Sequence, residues 1–139
     1  MNQSAIFWPM LAHVLLVYGL YGLMFLRRVA AVRAGNARVS QFRENRDEPA
    51  ESLFVRNSLT NQFELPVLFH AACLALFVAG AADGVALTLA WLFIASRYVH
   101  ALIHVTTNRI RYRQPAFTAG LLLLALMWGW LALRLLGGA

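Results

Sequence analysis

The sequence contains no lysine; all twelve of its basic side chains are arginines. Acids number only six, and charged residues make up 13% of the chain against 60% hydrophobic ones. In an ordinary soluble domain about a quarter of residues are charged, so this composition, with a mean hydropathy of +0.61, excludes that class. A single cysteine, Cys73, excludes an internal disulfide and leaves the redox compartment open. No basic residue precedes the first apolar run and no small-residue cleavage site follows it, so that run reads as a span and not as a signal peptide. Internal repeats and low-complexity tracts are also lacking.

What remains is apolar sequence in four runs, residues 5–26, 63–82, 85–106 and 115–136. Each holds roughly the twenty residues that cross a hydrocarbon core of about 30 Å as a helix. A soluble helix would show a polar stripe, and "GLLLLALMWGWLALRLL" has none. The expected fold is all-α, an integral membrane four-helix bundle forming one domain over residues 1–139. Seven arginines (27, 28, 33, 38, 43, 46, 56) lie between the first two runs, and Arg109, Arg111 and Arg113 lie between the last two. By the positive-inside rule both arginine-rich loops are cytoplasmic and both termini outside. The formal charge of +6 is then a property of these loops, which attract anionic lipid headgroups. It does not point to a nucleic acid.

Trp8 and Pro9 fit the outer interface at the start of the first helix, and Trp128 and Trp130 fit it at the end of the fourth. "AADGVA" reads as a tight outer turn centred on Asp83-Gly84. The first cytoplasmic connection is long enough to contain structure of its own. It breaks at Gly35-Asn36, and "RDEPAESLF" reads as a helix start with Pro49 in the first turn and acids beside it. The second helix therefore begins near Pro49, below the membrane, and Pro66 bends it close to Glu64. Pro115 is expected to open the fourth helix.

Two polar sets interrupt the apolar pattern. Asn57, Asn61 and Glu64 recur at i, i+4, i+7 and share one helix face, with Arg56 adjacent. The plain alternative is a solvated turn at the membrane interface. Arg97, His100 and His104 recur at i, i+3, i+7 on the third helix. Arg97 lies roughly 14 Å from its cytoplasmic end by helical rise. An arginine at that depth needs a partner, and Glu64 is the candidate, although antiparallel registry places it level with the histidines and about two turns short. A buried ion pair that only fixes registry is the bland reading. Metal is not expected, because neither an HExxH motif nor a cysteine pair accompanies the histidines. His13 and His70 read as lone histidines packed on apolar faces.

"NQFELP", "RYVHALIH" and the arginines that follow resemble the MAPEG family, membrane-associated proteins in eicosanoid and glutathione metabolism, over nearly the whole layout of the chain. The compact loops resemble its bacterial branch, which implies a multi-pass protein of the bacterial inner membrane. The resemblance implies a homotrimer with glutathione as co-substrate, bound near the cytoplasmic side between subunits. Arg28 (with Arg27 the alternative), Asn61, Glu64, Arg97 and His100 match family positions that bind glutathione. Arg113 matches the arginine beside its thiol, the catalytic position. Two places depart from the pattern. Asn57 stands where an arginine is common, with Arg56 next to it, and His104 stands where the synthases have tyrosine. A tripeptide with two carboxylates, an ammonium and a thiol needs arginines, an acid and amide or imidazole groups, and these sets supply them. The implied activity is a glutathione-dependent transferase or peroxidase acting on a lipophilic small molecule from the bilayer. The alternatives are a non-catalytic membrane protein that binds a lipid or a partner, and a small transporter subunit.

Overall fold

A backbone in hydrocarbon has no water to bond, so every N–H and C=O must find its partner within its own segment, and long apolar runs fold as helices. The computed structural model describes residues 2–44 and 47–137, and all regular structure among them is helical. A 3₁₀ turn, Gln3–Ile6, leads into α1 (Phe7–Arg33); α2 (Val39–Glu44) and α3 (Ala50–Thr60) follow, then a second 3₁₀ turn, Asn61–Phe63. Next come α4 (Leu65–Val78), α5 (Gly84–Val105) and α6 (Ile110–Leu136). Four stretches are long and apolar enough to cross a membrane: Gln3–Arg33, Ala50–Val78, Gly84–Val105 and Ile110–Leu136. Arg46 of the first basic connection lies outside the described residues.

The second span is composite. Pro49 caps α3, as its sequence implies, but the chain does more than bend at Glu64: it leaves the helix altogether (φ −98°, ψ −102°) and restarts at Leu65 with Pro66 in the first turn. A proline there gives up a donor that has no partner in a first turn anyway. Side chains support the carbonyls of the turn before the break, Thr60 Oγ1 donating to Arg56 O at 3.1 Å, Asn61 Nδ2 to Asn57 O at 2.9 Å and Gln62 Nε2 to Ser58 O at 3.0 Å.

Three boundaries differ from those read in the sequence. The first helix runs past Leu26, so Arg27, Arg28 and Arg33 are on a helix and not in a loop. The outer turn is made by Gly80, in the left-handed region at φ +67°, with Ala81 N–H returning to Leu76 O. Asp83 instead caps α5, accepting from Val85 N and Ala86 N, each at 3.1 Å. Trp130 Nε1 donates to the same oxygen at 3.1 Å, tying the far end of α6 to this turn. At the other end α6 begins at Ile110, and Pro115 lies inside it. The proline leaves only the Arg111 carbonyl without its intrahelical donor, next to the wet helix start, so the helix continues through it.

The core runs along the packing of α4, α5 and α6, with Phe69 stacked on Phe93 (centroids 4.6 Å apart) and Leu76, Met127 and Leu131 around them. Arg97 is the largest fully buried side chain. Its guanidinium lies 5.5 Å from the Phe93 ring and 5.4 Å from the Phe117 ring, and Nη2 donates to the carbonyls of Ala116 at 3.3 Å and Phe117 at 3.5 Å. Gly120 makes the room: a Cβ there would stand 2.6 Å from Arg97 Nη2 and 2.8 Å from Ser96 Oγ. Gly120→Ala is therefore expected to destabilise the protein by about 1–3 kcal/mol, as overpacking does. Gly129→Ala, where a Cβ meets nothing within 4 Å, should be neutral or slightly stabilising. Unfolding of the detergent-solubilised variants, compared side by side, measures the difference.

Candidate functional site

The break at Glu64 shapes a polar cavity of about 200 Å³ beside α5 and the first turns of α6, lined by Asn61, Glu64, His100, Arg113, Gln114 and Phe117. α5 contributes His100, which is buried, and α6 contributes Arg113, which is half-buried. A larger depression, about 540 Å³ beside Asp83, Thr88 and Leu89, offers little chemistry because Asp83 is committed to capping α5. In the smaller cavity one cation and one carboxylate share a wall with amide and imidazole groups. That set suits a ligand carrying charges of both signs.

Arg113 Nη1 donates to Asn108 Oδ1 at 2.6 Å and lies 3.1 Å from His104 Nε2. An arginine nitrogen has no lone pair to offer, so His104 Nε2 accepts and the imidazole is the neutral Nδ1–H tautomer. His104 thus stands behind Arg113 and not on the cavity. His100 reaches it edge-on, with ring centroids 5.6 Å apart.

The structure gathers Asn61, Glu64, His100 and Arg113 around one space and leaves the other expected residues outside it. Arg97 lies behind Phe117, supporting the cavity wall through that ring. The ion pair expected between Arg97 and Glu64 is not formed: Glu64 is exposed at the cavity, and Arg97 is held by carbonyls and aromatic faces behind Phe117. Asn57 is exposed and contributes its backbone carbonyl to Asn61. Arg27 is bonded to the carbonyls of Glu51 at 3.0 Å and Val105 at 3.1 Å.

Arg28 and Arg56 are clamped on a residue that the sequence did not single out. Glu48 is buried, accepts from Arg28 Nε at 2.8 Å and has Arg56 Nη1 2.9 Å from its other oxygen. Phe42 covers Arg28 with its ring 5.0 Å away. The carboxylate had appeared only as one of the acids near a helix start. Nothing in the sequence says that the connection folds it back between two arginines. Gln114 and Phe117 also carried no signal, except that Gln114 adjoins Arg113.

His13 and His70 are not lone histidines. His13 Nδ1 is 3.0 Å from His70 Nε2, and His13 Nε2 is 3.2 Å from Gln62 Oε1, while Gln62 Nε2 donates to Ser58 O. The Ser58 carbonyl only accepts, which orients the Gln62 amide, so a neutral His13 donates from Nε2 and accepts from His70. The chain ties α1 to α4, a pairing that periodicity along single helices does not contain.

Burial pushes the Glu48 carboxyl up, but hydrogen bonds from Arg28 and Ser52 and the charges of Arg28 and Arg56 outweigh it and hold the group below its usual 4.5. A carboxyl depressed in the folded state contributes stability that is complete above its unfolded value and is lost as pH falls through the folded one. The wild type should therefore lose stability on acidification below about 4.5 by more than Glu48→Gln does. At neutral pH Glu48→Gln should cost about 1–2 kcal/mol, less than the 3–5 typical of a fully buried pair because both arginines keep some water. Chemical denaturation at pH 7 and pH 4 separates the two effects.

One family model, described as the MAPEG family, matches residues 5–133 of the chain. No curated protein and no solved structure matches it.

Proposed function

The chain belongs to the MAPEG family, a multi-pass membrane protein by its four helices, and on that premise we propose that its polar cavity binds glutathione and that the protein is a glutathione-dependent transferase or peroxidase for lipophilic substrates. The observation that carries the reading is the convergence of Asn61, Glu64, His100 and Arg113 on one cavity. Arg113 is suited to a carboxylate or a thiolate, Glu64 to an ammonium, and Asn61 and Gln114 to peptide groups. A thiol with a pKa near 8.5 is only a few per cent ionised at neutral pH, and a guanidinium beside the sulfur favours the thiolate. The proton leaves to water, and the sulfur lone pair bonds to an electrophilic carbon arriving from the bilayer while the leaving group departs with the electron pair of the bond that breaks. With a peroxide the sulfur takes one oxygen as the O–O bond breaks to release an alcohol, and a second glutathione thiol then displaces that oxygen as water to give the disulfide.

A cavity of about 200 Å³ is small for a tripeptide, since ligand sites commonly span about 300–1,000 Å³. Arg28 and Arg56 also lie elsewhere on the same chain. Both facts support a site completed by a second copy in a homotrimer, with the exposed apolar faces of α1 and α6, such as Leu15, Phe25, Leu122 and Leu126, left for lipid or for neighbouring subunits. One observation favours a second reading, a protein that binds a lipid or partner without catalysis. His104 accepts from Arg113 and so offers no hydroxyl-like donor to a sulfur.

Calorimetry of the purified protein in detergent should show glutathione binding in the millimolar range or tighter. Arg113→Ala should weaken it and lower turnover of a lipophilic electrophile by about 10²-fold, the scale of removing one preorganised charge-stabilising donor. Binding without turnover of any electrophile or peroxide would favour the second reading, and absence of binding would sink the first. Native mass spectrometry should report a trimer, and a stable monomer with glutathione bound would refute the shared site.

A further inference from the structure

Asn108 lies just past α5 with φ +48°, in the left-handed region, and its N–H bonds the Ile103 carbonyl at 2.7 Å. Asparagine tolerates that conformation better than most residues, so a backbone role alone would account for it. The side chain does something further. Its Oδ1 receives the 2.6 Å bond from Arg113 Nη1, the nitrogen that also donates to His104. Nη1 carries two N–H groups and both are engaged, while Nη2 and Nε have no partner among the described residues.

We propose that Asn108 is a positioning residue for Arg113, anchoring one guanidinium nitrogen and leaving the other donors free for the thiol of glutathione. The proposal rests on the glutathione reading of the cavity. Its physical content is that both anchors are neutral. Glu48 holds Arg28 and Arg56 with a carboxylate and offsets one of their two charges. An amide oxygen and a neutral imidazole fix Arg113 and add no counter-charge of their own. The charged or titratable groups facing that charge are His104 and His100 from α5, and Glu64, which lines the cavity. An unanchored arginine would spread over many rotamers and lose part of its effect on the sulfur.

Asn108→Gly separates the two roles, because glycine keeps the left-handed backbone and removes only the anchor. In lipid nanodiscs with saturating glutathione, the bound thiolate is followed by its ultraviolet absorbance as pH is raised. Asn108→Gly should leave thermal stability and glutathione affinity within about twofold and raise the thiol's titration by about one pH unit, a tenfold loss of thiolate at neutral pH. Turnover should fall in proportion and recover at alkaline pH. In an Arg113→Ala background the same substitution should change nothing. Asn108→Asp keeps the anchor but adds a charge opposite Arg113, and it too should raise the titration. A wild-type titration in Asn108→Gly or in Asn108→Asp, or an equal shift of Asn108→Gly with Arg113 absent, overturns the role of Asn108. No thiolate signal in the wild type at millimolar glutathione overturns instead the cavity reading beneath it.

Discussion

Pro66 has no N–H, so a helix that begins at Ala50 cannot pass through it without leaving the Gln62 carbonyl unpaired in the membrane. The chain yields by ending α3 at Thr60, tightening through a 3₁₀ turn and starting α4 at Leu65. Asn61, Gln62 and Glu64 all belong to that interruption. Gln62 turns towards α1 and joins His13, while Asn61 and Glu64 line the cavity that Arg113 also lines. An uninterrupted helix would have left all three on regular helical faces. Non-helical backbone at membrane depth persists only where protein or a polar cavity covers it, and here both do.

Four arginine environments show how differently one residue type is held in a chain without lysine. Arg97 is fully buried against two aromatic rings and two backbone carbonyls, in space that Gly120 leaves open. The broad, weakly hydrated guanidinium suits such a setting better than an ammonium would. Arg27 stitches α1 to α3 and α5 through main-chain carbonyls. Arg28 and Arg56 share one carboxylate, Glu48, which offsets one of their two charges. Arg113 is held by an amide oxygen and an imidazole and lines the cavity that Glu64 and His100 share.

Much of the fold was legible in the order of residues. Span number follows from apolar length, and the start of α3 after Pro49 and the interruption at Glu64 follow from the chemistry of proline. Misreadings came where a local signal had two outcomes. Pro115 both tolerates a helix start and permits a helix already under way, and the chain takes the second, with α6 beginning at Ile110. The residues Asp83-Gly84 suit a turn and a helix start alike, and the chain uses Asp83 as the cap of α5 and turns at Gly80.

The sequence by itself determined that this chain is helical and membrane-spanning, and which residues are polar where polarity is costly. Those properties depend on composition and on spacing within single segments, where the helical period of 3.6 makes neighbours predictable. Tertiary structure decided which polar residues meet. The same helix-face logic grouped Asn57 with Glu64 and Arg97 with His100. Packing then split both groups, sending Glu64 and His100 to the cavity, Asn57 to the surface and Arg97 behind Phe117. It also folded Glu48 between two arginines and joined His13 to His70. Such pairs link residues on different segments, and their distance depends on the angle and register at which helices dock. No periodicity along one helix encodes that register.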